Sequence, residues 1–360
     1  LFKNPRWQTL YRRLRLNIVL KLALLIFSLF LFVLALYLLK EGARQLGPLV
    51  RDTLKVDNAA NALGFGWLFA YAVMSGSPVA AITLTLLDVA TIDKLQAFAM
   101  ITGSRLGASF IVLFIGFVYW LRGGERKASM STGLLSLLVT QTTYVPAFFL
   151  GAFVLNSGWM DRLQLHNAVE MVSIFDVIFD PITSFLLSFL PRWVIFGMGF
   201  GVLMVSFNLL DRALPQLHLE EGAFRGMARI LYRPIVTFLL GAAVTTITMS
   251  VSLSISILVP LSMRGYIRRE NIIPYVMGAN ITTFVDTLIA AVLLGNPVAF
   301  TVVLVEMSSV ALVSLLIIAL VYGLYERAIL GFSNLLLGRR LYLILYMFGI
   351  VGIPLMLMFF

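Results

Sequence analysis

The chain has no cysteine, which excludes disulfides and thiolate metal sites. It has two histidines, His166 and His218, far apart in polar connectors and without metal-ligand spacing. No Gly-Lys-Ser/Thr phosphate loop is present, which argues against ATP-driven work within this chain. No nucleophile–base pair emerges either, so an enzyme is not expected, and no catalytic residue or organic cofactor is assigned. Charge is scarce: Asp, Glu, Lys and Arg make up 12% of the residues, against roughly 25% in a soluble domain. The net charge of +10 comes without a basic stripe interleaved with aromatics, so nucleic acid is not an expected partner.

What is present is apolar sequence. The chain is 60% hydrophobic, with a mean hydropathy of +0.98. At roughly 20 residues per spanning helix, its length allows about ten membrane segments, with lipid as solvent. The basic residues flank these segments. Lys3, Arg6, Arg12, Arg13 and Arg15 precede a first span at about 17–39, which places the N-terminus in the cytoplasm. Leu46, Val50 and Leu54 recur at helical spacing in a mixed stretch, 40–61, that reads as an interfacial amphipathic helix.

Two regions carry the same landmarks 175 positions apart: Gly66, Met74, Ser75, Ser77 and Gly103 against Gly241, Met249, Ser250, Ser252 and Gly278. These are small and hydroxyl residues where apolar ones would be expected. Duplicated halves with polar, broken hydrophobic segments point to the binding site of a secondary transporter. The basic flank of the span at 95–121 follows it, whereas that of its counterpart at 272–294 precedes it (Arg264, Arg268, Arg269). The two spans therefore run in opposite directions, and the repeats are inverted.

The expected fold is an all-α polytopic membrane protein with two inverted repeats, each holding a re-entrant or broken helix hairpin. Residues 1–62 form an N-terminal span and lead-in, 63–155 repeat one, and 156–230 a middle segment and connector. Residues 231–324 form repeat two, and 325–360 a basic connector and last span. Within the middle, 168–210 reads as one crossing plus a partly interfacial helix. Further spans are expected at 131–155 and 298–324.

The first candidate cluster is Ser75-Gly76-Ser77-Pro78 with Ser250, Ser252 and Ser254. Hydroxyls and unwound carbonyls suit a hard monovalent cation, and exposed N–H groups suit an anion. Small residues and hydroxyls also serve close helix packing or bond back to helix carbonyls. The second cluster sets Gly103-Ser104-Arg105 against Gly278-Ala279-Asn280, followed by Thr282, Thr283 and Asp286. Arg105 lies about ten residues into its span, where a guanidinium marks a partner, a substrate path or a water-filled cavity. Asp286 is the nearest acidic candidate. Glu306, Asp88 and the Gln141-Thr142-Thr143-Tyr144 cluster are weaker signals.

These residues resemble the sodium/phosphate cotransporter family, type II. Its motif places Gly, then Thr four residues on, then Gln-Ser-Ser-Ser from the eighth, once in each inverted half. A Gly-Ala-Asn-Ile-Gly-Thr-Thr-like stretch follows on the next helix. Gly241, Thr245, Met249-Ser250-Val251-Ser252 and Gly278-Ala279-Asn280-Ile281-Thr282-Thr283 keep that spacing. Gly66, Ala70, Met74-Ser75-Gly76-Ser77 and Gly103-Ser104-Arg105-Leu106-Gly107 do so in repeat one, and Leu39–Leu46 is similar to the family's lead-in. The resemblance implies a small-anion symporter, phosphate first, with sodium as coupling ion and Ser75, Ser77, Ser250 and Ser252 as candidate sodium ligands. It also implies a divergent bacterial-type member in the inner membrane. The motif's Gln is Met in both halves, its middle Ser is Gly or Val, and Arg105 stands where the family has Asn. Another anion, proton coupling, and a non-transport binding or assembly role on the same scaffold therefore stay open.

Overall fold

Every element among the described residues is helical. The computed structural model describes residues 5–50, 54, 56–121, 126–159, 168–214, 233–256, 258 and 268–359. The first half contains α1 (Pro5–Ala43), α2 (Ala59–Val73), α3 (Ser77–Asp88), α4 (Lys94–Leu121) and α5 (Arg126–Ser157). The middle contains α6 (Ala168–Leu187) and α7 (Arg192–Ala213). The second half contains α8 (Pro234–Thr248), α9 (Val251–Ser256), α10 (Arg269–Thr282), α11 (Phe284–Leu293) and α12 (Pro297–Leu316). A π-helical turn, Ile317–Val321, joins α12 to α13 (Tyr322–Gly338), and α14 (Arg340–Met358) follows. Seven helical stretches among the described residues are long and apolar enough to cross a membrane.

Local chemistry explains the helix starts. The Asn58 side chain accepts from the Asn61 N–H and opens α2. Pro78, Pro234 and Pro297 sit in the first turns of α3, α8 and α12, where a missing N–H is harmless. Asn296 caps α12 by accepting from the Ala299 N–H. Both expected breaks are present. Met74 ends α2 in the left-handed region (φ 55°, ψ 32°), and Met249 ends α8 likewise (φ 49°, ψ 19°). A non-glycine residue there stores strain of order 1 kcal/mol, which the surrounding packing must hold. The second break has no Gly or Pro at its turn and still forms, at the position equivalent to the first.

The two halves pack alike. A Cβ added at Gly66 would overlap the Met100 carbonyl, and one at Gly103 the Leu63 carbonyl. A Cβ at Gly241 would overlap the Tyr275 carbonyl, and one at Gly278 the Phe238 carbonyl. The α2–α4 and α8–α10 pairs thus touch main chain to main chain at corresponding residues. Such contact between apolar helices needs glycine. The spans Lys94–Val118 and Arg269–Leu293 are each 67% buried, more than any other span, so they form the centre. The halves also cross over: α9 packs on α4, and α3 packs on α11.

Some boundaries differ from the sequence reading. The stretch 40–61 is not one amphipathic helix. Helix α1 runs on to Ala43, a short helical turn follows at 47–50, and Leu46, Val50 and Val56 are buried in the core. Gly47-Pro48 interrupts the helical register. The boundary at 324 falls inside α13, because the helix continues through the π-turn to Gly338, where a connector was expected from 325. In the middle, α7 qualifies as a span. Helix α6 carries Asp176, which accepts from the Tyr37 hydroxyl at 2.6 Å. His166, His218, Arg264 and most of the 211–230 connector lie outside the described residues.

Candidate functional site

The two breaks face one small cavity of about 30 Å³, enough for about two waters. Ser75, Gly76 and Ser77 line it from the first break, and Ser250 and Val251 from the second. Arg105, Ala108 and Ser109 come from α4, Tyr144 from α5, Asn280 from α10, and Thr283 from the α10–α11 junction. Gly76 lets the break approach α4: an added Cβ would stand 3.0 Å from both Ala108 Cβ and the Ser104 carbonyl.

Arg105 organises the site. Its Nη1 donates to Ser77 Oγ at 3.3 Å and to Thr283 Oγ1 at 3.3 Å. Its Nη2 donates to Thr287 Oγ1 and lies 3.5 Å from Asp286 Oδ1. Thr287 passes the interaction on, donating to Asp286 Oδ1 at 2.9 Å. The Phe284 ring lies under the guanidinium, 5.0 Å from Cζ to centroid, a cation–π contact of about 0.5–2 kcal/mol. Both side chains of the pair are 4% exposed. Arg105 Nε and Asp286 Oδ2 have no hydrogen-bond partner among the described residues. The pair is therefore buried, joins the two halves, and keeps one free donor and one free acceptor.

Asn280, the residue matching Arg105, is turned toward α5. Its Nδ2 donates to Thr140 Oγ1 at 3.1 Å, and its carbonyl accepts from the Tyr144 hydroxyl at 2.9 Å. Two expected site residues serve packing instead. Ser254 sits in a buried hydroxyl network, 2.8 Å from Thr245 Oγ1 and 2.8 Å from the Tyr275 hydroxyl. Thr282 donates to the Ala242 carbonyl at 2.9 Å and does not line the cavity. The Ser252 side chain lies outside the described residues.

Thr287 contributes although the sequence reading does not name it, and Tyr144 contributes although that reading gives it only as a weaker signal. Thr287 lies one residue after Asp286 and shares its helical face toward Arg105. Its adjacency to an intramembrane acid was the available signal. Tyr144 belonged to a polar cluster on α5 whose facing direction only the packing shows. Asp88 is not simply solvated: it pairs with Lys40 at 2.9 Å and accepts from Asn296 Nδ2 at 2.9 Å.

The residues present do not fit a sodium ion at the first break. Ser77 Oγ already accepts from Arg105, so a cation bound there would stand beside a guanidinium. The same arrangement suits an anion, which the guanidinium attracts. No family model, curated protein or solved structure matches the chain.

Proposed function

We propose that the chain is a secondary transporter of a small inorganic anion, with phosphate the first candidate and a proton or sodium ion as coupling ion. The reading takes the halves as inverted repeats in a bacterial inner membrane, with the N-terminus in the cytoplasm. One observation supports it above all. Two helix breaks from corresponding places and a buried guanidinium with a free Nε–H share one cavity. The cavity is too small for a tetrahedral oxyanion beside its waters, so loading requires the two tips to separate. That motion is the expected form of alternating access.

The test is uptake of radiolabelled phosphate by purified protein in proteoliposomes, under a proton gradient and separately under a sodium gradient. Accumulation under either supports the reading. Arg105→Lys should then reduce uptake at least tenfold, since Lys keeps the charge and loses the planar fork. Equal uptake by protein-free vesicles and by protein, with phosphate and with other inorganic anions, sinks it. A second reading, a non-transport scaffold, draws on the engagement of both Arg105 Nη groups by protein oxygens. No uptake by folded wild type under either gradient, together with a sharply lower melting temperature for Arg105→Met, would favour that reading.

A further inference from the structure

Glu306 is the buried acid that the anion site does not use. It lies midway along α12, is 1% exposed, and neither carboxyl oxygen has a hydrogen-bond partner among the described residues. An isolated carboxylate in such a place costs several kcal/mol. Thr102 on α4 is beside it, yet the Thr102 hydroxyl proton is committed to the Phe98 carbonyl at 2.9 Å. That hydroxyl can still accept. A protonated Glu306 can donate to Thr102 Oγ1 without disturbing that bond, whereas an ionised Glu306 can accept from the hydroxyl only if it leaves the Phe98 carbonyl. A metal ion would need several converging oxygens, and no cluster of three or more acidic or histidine side chains occurs among the described residues.

The surroundings tie this acid to the anion site. Helix α4 brings Arg105, one helical turn beyond Thr102, which stands beside Glu306. Helix α5 brings Tyr144, which lines the same cavity as Arg105. Helix α11 brings Asp286, bound to the same guanidinium. Helix α10 brings Tyr275, held in the Ser254 network, and α3 brings Asp88, far along α12 beside Asn296. With Glu306 ionised, one guanidinium faces at least two carboxylates, and the centre repels an anion. With Glu306 protonated, the Arg105–Asp286 pair is neutral in sum, and an incoming anion meets no net opposing charge.

We infer that Glu306 is the seat of the coupling proton, and that proton and anion bind cooperatively because both act on Arg105. Binding the proton at Glu306 relieves Arg105 of one of its two competing acids. Linkage then requires that the bound anion in turn holds the proton in place. The outcome is proton–anion symport. The coupling role rests on the transport reading above, whereas the proton site itself does not.

Two measurements on the full chain separate these layers. Infrared spectroscopy of the protein in lipid should show a protonated carboxylic-acid C=O band at neutral pH that is missing in Glu306→Gln. An identical band in wild type and variant overturns the proton site, whatever the substrate. In proteoliposomes, Glu306→Gln should keep phosphate–phosphate exchange and lose accumulation driven by a pH gradient. For one proton per anion, a one-unit gradient supports up to about tenfold accumulation, which the variant should reduce to none. Glu306→Asp, which keeps a proton carrier, should retain part of it. Accumulation driven by pH in Glu306→Gln, or loss of exchange together with accumulation in a folded variant, overturns the coupling role. If wild type neither exchanges nor accumulates phosphate while the infrared difference stands, the phosphate-transport reading fails and the proton site survives.

Discussion

The two halves share a backbone plan and differ in the chemistry hung on it. Helices α2 and α8 occupy equivalent positions and end in a left-handed Met, and each meets its partner through paired glycines. At the matching central position the first half has Arg105 and the second has Asn280. Where the first half packs Ala70, Val79 and Met100, the second has Thr245, Ser254 and Tyr275, joined by hydroxyl contacts of 2.8 Å. Where the first has Gly107 against the Trp67 carbonyl, the second has Thr282 donating to the Ala242 carbonyl. The lesson is a division of labour. Glycines and breaks are kept where the backbone needs them, and the cation and its counter-acid are split between the halves.

The largest expected effect comes from that split. Arg105→Met strands Asp286, and Asp286→Leu strands Arg105, in a buried site. Breaking such a pair costs about 3–5 kcal/mol. Each single variant should lower thermal stability sharply in detergent. The double variant Arg105→Met, Asp286→Leu should recover most of the loss, because two uncharged side chains leave nothing stranded. Equal stability of singles and wild type would mean that the halves are not held together by this pair.

The shared backbone yields the next effect. Gly66→Ala, Gly103→Ala, Gly241→Ala and Gly278→Ala each drive a methyl group into a main-chain carbonyl. The flexible end of a side chain could move aside, but these carbonyls cannot without separating the helices. A loss of about 3 kcal/mol is expected at each, at the high end for overpacking. The measurement is the melting temperature of the four variants side by side. Tolerance in one half and collapse in the other would break the equivalence of the two helix pairs.

How much of this was legible in the sequence follows from residue type. Glycine in an apolar helix is expensive unless the backbone needs it, so the spacing of Gly66, Gly103, Gly241 and Gly278 carried the repeat. An ionisable residue deep in a span is rare, so Arg105 and Asp286 could be matched before any geometry was known. Serine and threonine are different. A hydroxyl in an apolar segment reads the same whether it lines a cavity or bonds back to a carbonyl. Helix phase decides between these, and the break shifts the phase by an amount the sequence does not state. Ser75 and Ser77 therefore fall on the cavity, while Ser254 and Thr282 fall on packing faces. Glu306 was visible as an acid, but its lack of partners is a property of α4 and α5 closing around it.

The hydroxyl network gives a smaller and more selective effect. Ser254→Val alone removes one member and leaves the Thr245 hydroxyl without its side-chain partner, while the Tyr275 hydroxyl keeps only its 3.3 Å bond to the Ser254 backbone carbonyl. A cost of about 1–3 kcal/mol is expected. The triple variant Thr245→Ala, Ser254→Val, Tyr275→Met installs the first half's residues and leaves no polar group behind. Denaturation should find it closer to wild type than the single variant. A triple variant weaker than the sum of the three singles would show that the second half depends on its network for more than packing.

The smallest effect separates site from scaffold within one short stretch. Thr282 and Thr283 are neighbours, and the sequence offers them as equal candidates. Thr283 Oγ1 accepts from Arg105 at 3.3 Å, while Thr282 Oγ1 bonds to Ala242 across the α8–α10 contact. Thr282→Ala loses one hydrogen bond, and the carbonyl it leaves is still bonded in its own helix. About 1 kcal/mol of stability is expected to go, with uptake and its gradient dependence unchanged. Thr283→Ala costs a similar amount of stability but removes an oxygen from the guanidinium at the cavity wall. On the proposed transport reading, its effect should appear in uptake, as a several-fold change in apparent affinity for the anion. If both variants alter uptake equally, then Thr282 reaches the site in a state with the helix tips apart, and the two threonines exchange roles as the halves move.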